Sequence, residues 1–411
     1  MRKWAVIEQA FLSMANFGLA VFLTRELPKA DWGVYSLGFA LMLFAQGFQR
    51  AMVCIPIATM AHQDDVLFRS LRFWRKLQLK VTGFSISALL LGAATAHFIS
   101  SKSSISESML IAALLVPGFF SHEFWRRMLI QARNIRAAAI IAFVFFLFVA
   151  LLLLLLYFAH GGVIAAAIGV SLCALMVGSI ARSRTISIIP ESGDPLDLRH
   201  EVRQFGRWAS LSHLAYSGYN TAIQVSLSVI SGPAAMGSFA AVRNLIQPVN
   251  TLIGAIDSVD KPRAARAYAD DGFTGLFSSL WRTIITLSIV GGLYVIACAA
   301  GGGYVVNTLY HQRYGYAWNE LWMWCLIATA MMVAQPIESG LYVAHRVDAL
   351  FVNRLISSAI GLGAAVACIP SLGVLGALIG LASGYFTTAF LGACQLFKIS
   401  RRTARVREML T

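Results

Sequence analysis

Long apolar stretches alternate with short polar breaks along almost the whole chain. Each stretch has about 20 residues, the length that an α-helix needs to cross the hydrocarbon core of a bilayer. The stretch from Ala137 to Ala159 holds no charged residue. We therefore predict an all-α integral membrane protein with twelve transmembrane helices. The approximate cores of the predicted spans are 4–24, 34–59, 79–99, 108–130, 138–158, 162–181, 209–230, 237–259, 282–300, 319–342, 350–369 and 373–397.

The second half of the chain repeats the first at an offset of 204 residues, with small drifts further on. Matched positions include Trp4 and Trp208, Asn16 and Asn220, Gly33 and Gly237, and Gln46 and Asn250. Each half holds six spans, an even number, so both halves enter the membrane in the same orientation. The repeat predicts a six-helix bundle in 1–181, a linker in 182–207 and a second bundle with a basic tail in 208–411. Duplicated halves are common in transporters, where the substrate binds at the interface between the repeats.

Composition supports a membrane protein and explains most of the charge. Of the 411 residues, 58% are apolar and 13% are charged, and the mean hydropathy is +0.70. The net charge of +14 is not evidence for nucleic-acid binding, because 27 of the 33 basic residues fall in the termini, in alternate breaks between spans and at the span ends beside them. By the positive-inside rule these segments are cytoplasmic, which places both termini in the cytoplasm.

Polar side chains concentrate on the first, second, seventh and eighth spans, which are equivalent pairs under the repeat. Within spans 7 and 8 they recur at helical spacing, so they share one face of each helix. This pattern predicts a water-accessible central cavity between the two bundles. The candidate substrate-binding residues are Asn16, Arg25, Gln46, Arg50, Tyr216, Asn220, Arg243, Gln247 and Asn250.

The arginines among these residues indicate an anionic substrate. Arg50 lies well inside span 2, where a charge costs about 2.5–3.5 kcal/mol unless it faces a cavity or a partner. Arginine binds phosphate with paired donors and does not deprotonate. For Arg50 the alternative is a salt bridge with Asp257 or Glu8. For Arg243 it is a side chain that reaches the membrane interface, and for Arg25 a solvated pair with the adjacent glutamate.

The amides and two acids complete the candidate site. The amides suit sugar hydroxyls, and they equally suit hydrogen bonds between helices. Asp257 and Glu8 are candidates for ion coupling, since either could titrate or hold a cation. Glu8 lies one turn from the cytoplasmic end of span 1, where a solvated carboxylate or one paired with an arginine is an equally good interpretation.

The sequence has no sign of catalytic chemistry. No lysine follows a glycine, which excludes a Walker A motif. No arrangement of nucleophile, base and acid and no set of metal ligands emerges from the spacing of residues. We therefore expect neither an enzyme nor a bound cofactor or metal.

One segment resembles a known family. The turn at 23–35, LTRELPKADWGVY, is similar to that of polysaccharide-export flippases, and 233–239, PAAMGSF, is its echo in the second half. These flippases belong to the multidrug/oligosaccharidyl-lipid/polysaccharide (MOP) exporter superfamily. The resemblance implies two six-helix bundles around a central cavity walled by spans 1, 2, 7 and 8. It also implies that cavity arginines hold the pyrophosphate or acidic sugars of the substrate.

On this basis we expect a flippase of the bacterial cytoplasmic membrane. It would move polyprenyl-pyrophosphate-linked oligosaccharide from the inner to the outer leaflet by alternating access, for surface or exopolysaccharide assembly, alone or with other assembly proteins. A cation-coupled drug antiporter of the same superfamily is one alternative, although it favours a cavity rich in carboxylates. A membrane polymerase or ligase would need a large outer loop, which the sequence lacks. A non-transporting scaffold of a polysaccharide synthase is a further alternative that the sequence leaves open.

Overall fold

The computed structural model describes residues 2–60, 64–99, 103–188, 198–310, 318–344 and 346–410. These residues form twelve α-helices and one π-helical turn, Arg50–Cys54, between α2 and α3. The helices are α1 Arg2–Glu26, α2 Lys29–Gln49, α3 Ile55–Met60, α4 Asp64–Ile99, α5 Ser103–Gln131, α6 Ile135–Ala159, α7 Val163–Ile188, α8 Arg199–Ser231, α9 Pro233–Leu309, α10 Trp318–Val343, α11 Val347–Leu372 and α12 Val374–Leu410.

The twelve helices do not match the twelve predicted spans one to one. The π-helical turn and α3 continue the line of α2, so these three elements together form the second span. Helix α9 is 77 residues long and holds the eighth and ninth spans. Its two parts meet at Gly272, whose φ of 63° and ψ of −141° interrupt the helix. The positive φ favours glycine, which has no Cβ to clash with the backbone.

Ten segments of the described chain are long and apolar enough to cross a membrane. Helix α8 and the first part of α9 are not among these ten segments. Both carry the rows of polar residues that the sequence places on spans 7 and 8, and these lower their hydropathy. The predicted all-α fold class is confirmed, with helices at all twelve predicted positions.

The chain divides into two compact units. Unit 1 comprises Met1–Thr221 and Gly232–Gly237, and unit 2 comprises Ala222–Ser231 and Ser238–Thr411. In unit 1 helix α5 packs against α2, α4 and α7, while α1 packs against α6. In unit 2 helix α12 packs against α10 and α11. The predicted linker at 182–207 is helical up to Ile188 and again from Arg199, and the part between 189 and 197 lies outside the described residues.

Large apolar side chains lie both inside the units and on their surfaces. Trp74, Phe120 and Phe124 are fully buried in unit 1. In contrast, Phe84 and Phe98 are 76% and 87% exposed on α4. A soluble protein rarely exposes so many large apolar groups together. Surfaces of this kind fit the hydrocarbon of a bilayer.

Unit 1 contains a close helix crossing at the turn 23–35, the segment that resembles polysaccharide-export flippases. The first turn of α9 lies against the start of α2, and the indole nitrogen of Trp32 donates to the carbonyl oxygen of Gly237 at 3.1 Å. A Cβ on Gly33 would lie 1.7 Å from the carbonyl oxygen of Pro233. A Cβ on Gly237 would lie 2.4 Å from the carbonyl oxygen of Lys29. The two glycines that the repeat matches are therefore both required by the same backbone approach.

Candidate functional site

Helix α2 changes its geometry at Arg50, the strongest candidate from the sequence. The α-helix gives way at this residue to a π-helical turn that runs to Cys54. Such turns are rare and occur often at functional sites, because the extra residue re-aims the side chains. The Arg50 side chain is 46% exposed although its helix is largely buried.

Arg50 forms a salt bridge within unit 1, but not with the partners suggested by the sequence. Its Nε lies 3.0 Å from Oε1 of Glu123 on α5, and its Nη2 donates to Oε1 of Gln46 at 3.2 Å. Glu123 therefore replaces Asp257 and Glu8 as the counter-charge. The amide of Gln46 also approaches the carbonyl oxygen of Phe119, at 3.5 Å.

Glu123 is the centre of a group of five charged residues that we call the arginine–glutamate cluster: Glu8, Arg50, Glu123, Arg126 and Arg127. Oε1 of Glu123 accepts hydrogen bonds from Arg50 and from Arg127, whose Nε lies 3.1 Å away. Oε2 of Glu123 accepts a hydrogen bond from Arg126, which also forms a salt bridge with Glu8 on α1. Three arginines and two glutamates give the cluster a formal charge of +1.

The cluster has a buried side and an exposed side. The side chains of Glu8, Glu123 and Arg126 are 5–8% exposed, whereas those of Arg50 and Arg127 are 46% and 45% exposed. Ion pairs shielded from water are strongly destabilised when one partner is lost. The buried side thus ties α1 to α5, while the exposed side presents two guanidinium groups.

Sequence reasoning missed Glu123, Arg126 and Arg127 as members of a site. The signal was present, because a glutamate followed by arginines at i+3 and i+4 places all three on one helix face. The positive-inside pattern already explained the two arginines as topology, and the glutamate lay outside the four polar helices. Only the folded chain brings α1, α2 and α5 together around this residue.

In unit 2, Arg243 contacts a neutral partner. Its Nη1 donates to Oε1 of Gln224 on α8 at 3.1 Å, and the described residues supply no carboxylate to it. A half-buried guanidinium without a counter-charge is costly in an apolar setting. This arrangement suits a residue that receives its anion from a ligand.

The other predicted site residues have varied surroundings. Asn250 donates to Gln247 at 3.4 Å, while Asn16 and Arg25 are exposed on α1. Asn220 is half-buried on α8, and the side chain of Tyr216 lies outside the described part of the structure.

The two acids proposed for ion coupling both form salt bridges with basic residues. Glu8 belongs to the arginine–glutamate cluster through Arg126. Asp257 accepts a hydrogen bond from Ser339 and lies 3.1 Å from the ammonium group of Lys261. Their coupling roles stay predictions. Among the described residues, no group of three or more His, Cys, Asp and Glu side chains could hold a metal ion.

The fold is similar to that of solved MATE transporters of the MOP superfamily. An inward-facing multidrug resistance MATE family transporter of this superfamily matches 97% of this chain and 99% of its own, with a TM-score of 0.70 and 13% identity. A eukaryotic MATE transporter matches 99% of this chain and 98% of its own, with a TM-score of 0.65 and 13% identity.

A third similar structure is a MOP superfamily transporter from Pyrococcus furiosus, described as having a binding pocket of reverse polarity that suggests a different function. It covers 97% of this chain and 96% of its own, with a TM-score of 0.63 and 15% identity. No protein-family model matches this chain, and no curated protein matches it in sequence. These likenesses establish the fold, while the substrate is argued from the residues.

Proposed function

We propose that this protein is a flippase that moves polyprenyl-pyrophosphate-linked oligosaccharide between the leaflets of the bacterial cytoplasmic membrane by alternating access. Its fold is shared with transporters over nearly the whole chain. Both termini lie in the cytoplasm in this proposal, as the distribution of basic residues indicates. The chain carries out no covalent chemistry and needs no cofactor.

The observation that carries the proposal is the sign of the charge around the candidate residues. Both glutamates of the arginine–glutamate cluster are bound by arginines, and the groups that stay exposed are the guanidinium groups of Arg50 and Arg127. Arg243 in unit 2 has a neutral partner. Such surroundings attract an anionic head group and repel a cation.

The roles of the candidate residues follow from their chemistry. Arg50 is a proposed contact of the diphosphate, since guanidinium groups bind phosphate oxygens in pairs, and Arg243 is a second proposed cationic contact of the substrate. The amides of Asn16, Asn220, Gln46, Gln247 and Asn250, with Tyr216, are the proposed contacts of the sugars. Arg25 is the third proposed cationic contact, and the polyprenyl tail stays in the bilayer.

A cation-coupled drug antiporter is the second candidate, favoured by the multidrug transporter among the similar structures. An antiporter of this kind needs a carboxylate that can exchange between a proton or cation and the drug. Asp257 is the strongest candidate for this role, although it is already engaged by Lys261. Transport of a cationic dye driven by a pH gradient, and lost in Asp257→Asn, would support this alternative.

The proposal is tested by flipping in proteoliposomes. A fluorescent polyprenyl-pyrophosphoryl oligosaccharide is reconstituted with the protein, and an impermeant quencher reports which leaflet the lipid occupies. We expect wild type to lose protected signal faster than empty liposomes, and Arg50→Ala and Arg243→Ala to lose it at least tenfold more slowly than wild type. Arg184→Ala, which removes an exposed arginine from α7, is the matched control and retains the wild-type rate.

Equal rates for wild type and empty liposomes, with folded protein, would contradict the proposed function. Wild-type rates in Arg50→Ala and Arg243→Ala would instead remove these residues from the transport path.

A further inference from the structure

Arg50 and Arg127 converge on one atom from two helices. The Nε atoms of both residues bond to Oε1 of Glu123, at 3.0 and 3.1 Å. Because they share this oxygen, the two Nε atoms lie within about 6 Å of each other. Two like charges so close together repel each other, and the single carboxylate oxygen between them offsets this repulsion.

Most of the donors on these two arginines have no partner among the described residues. A guanidinium group has five N–H donors in a planar fork. In the described structure Arg127 has Glu123 as its polar partner, and Arg50 adds only Gln46. The Nη groups of Arg127 and the Nη1 of Arg50 therefore stay available on side chains that are nearly half exposed.

Arg126 differs from Arg127 both in its exposure and in the use of its donors. It is buried, and it divides its donors between Glu8 and Glu123. Arg126 is thus balanced by two carboxylates, whereas the two exposed arginines share Glu123 as their one carboxylate among the described residues. The excess positive charge of the cluster lies on its exposed side.

We propose that Arg127 and Arg50 together form a binding site for a diphosphate group, and that Glu123 is the positioning residue that holds the two guanidinium groups in place. Among the described residues, the Glu123 carboxylate is the only anion between the two arginines. A bound diphosphate adds oxygens on the exposed side, where the unused Nη donors meet it. The proposal rests on the proposed function only in naming a lipid-linked diphosphate as the natural source of this group.

The first test is calorimetric titration of the purified protein with inorganic pyrophosphate, orthophosphate and sulfate at constant ionic strength. We expect pyrophosphate to bind more tightly than orthophosphate or sulfate, because it can reach both guanidinium groups. Arg127→Ala should weaken pyrophosphate binding at least tenfold, as should Arg50→Ala. Arg127→Lys should lie in between, since lysine keeps the charge but loses the fork. Arg184→Ala serves as the matched control.

The Glu123→Gln variant tests whether Glu123 positions the two arginines rather than contacting the bound group itself. Its amide oxygen can still accept from both arginines, but the competing negative charge is gone. We expect pyrophosphate binding to strengthen several-fold in this variant. Should the variant fail to fold because Arg126 loses one of its two counter-charges, the comparison of Arg127→Ala with Arg127→Lys carries the test alone. Pyrophosphate affinity unchanged in Arg127→Ala, or absent in wild type, would overturn the proposal.

A second arm distinguishes the sources of the diphosphate. Liposomes that carry polyprenyl diphosphate compete with free pyrophosphate for the site if the lipid head group is the ligand, and liposomes with polyprenyl alcohol do not. Pyrophosphate binding that depends on Arg127, without lipid flipping, would leave this site standing and reject the flippase. Lipid flipping together with pyrophosphate binding that does not depend on Arg127 would support the flippase and reject this site.

Discussion

At the scale of single residues, the charges of this protein divide into those that hold the fold and those that face outward. Arg126 and Glu8 form the buried link between α5 and α1. Arg50 and Arg127 share a carboxylate but stay accessible. A variant of the first kind should therefore affect stability, and a variant of the second kind should affect the handling of an anion.

Glu8→Ala tests the buried link. The substitution leaves Arg126 with one carboxylate instead of two, and losing a partner from a buried ion pair costs about 3–5 kcal/mol. We expect a clear fall in the thermal midpoint measured in detergent. Asp348→Ala is the matched control, because Asp348 pairs with Arg346 on the surface, where such a pair contributes about 0–1 kcal/mol. Equal falls for the two variants would contradict the assignment.

Arg243→Met tests the opposite case, a charge with no counter-charge in the described structure. Removing it should leave the thermal midpoint unchanged or higher, because an apolar side chain of similar length avoids the cost of a desolvated charge. The same variant should lower the flipping rate. Arg354→Met is the control, since Arg354 holds the buried Glu338 with two bonds of 3.0 and 2.9 Å. A loss of stability in Arg243→Met as large as in Arg354→Met would show that Arg243 is structural.

At the scale of elements, the crossing between α2 and the first turn of α9 leaves no room for a side chain on either glycine. Gly33→Ala places a methyl group 1.7 Å from the carbonyl oxygen of Pro233, so the backbones must separate. Overpacking of this kind costs about 1–3 kcal/mol. We expect a lower thermal midpoint and reduced flipping.

The control for this substitution is Gly83→Ala on α4, where nothing lies within 4 Å of the new methyl group. Alanine favours a helix over glycine by about 1 kcal/mol, so this variant should be as stable as wild type or more so. Gly33→Ala with the stability of Gly83→Ala would contradict the close crossing.

The elements also show what the sequence could and could not predict. Apolar runs locate all twelve spans because the bilayer imposes the same length on each of them. The junctions were less predictable. The π-helical turn at Arg50 depends on packing, and the interruption of α9 at Gly272 depends on one backbone conformation. Hydropathy records neither.

The candidate site was predictable only in part, for a physical reason. A polar residue on a predicted span stands out against an apolar background, which is how Arg50 and Arg243 were found. Arg127 stands at the end of a span among topological charges, where position alone does not separate a ligand contact from a cytoplasmic anchor. Its pairing with Arg50 through Glu123 depends on how α2 and α5 pack.

At the scale of the whole molecule, a fold similar to that of solved transporters is combined with exposed arginines whose acidic neighbours are already paired. The fold is compatible with more than one kind of substrate, since the similar structures include a multidrug transporter and a transporter described as having a pocket of reverse polarity. Our proposal of an anionic lipid in place of a cationic drug rests on the charge of the exposed groups.

The most direct test of this account is whether transport depends on the charge of the head group. Two fluorescent lipids with the same oligosaccharide and the same polyprenyl tail are compared in the same proteoliposomes, one linked by a diphosphate and the other by a neutral glycosidic bond. We predict that wild type flips the diphosphate lipid at least tenfold faster than the neutral lipid, and that Arg50→Ala loses this preference. Equal flipping of both lipids by wild type would contradict the account.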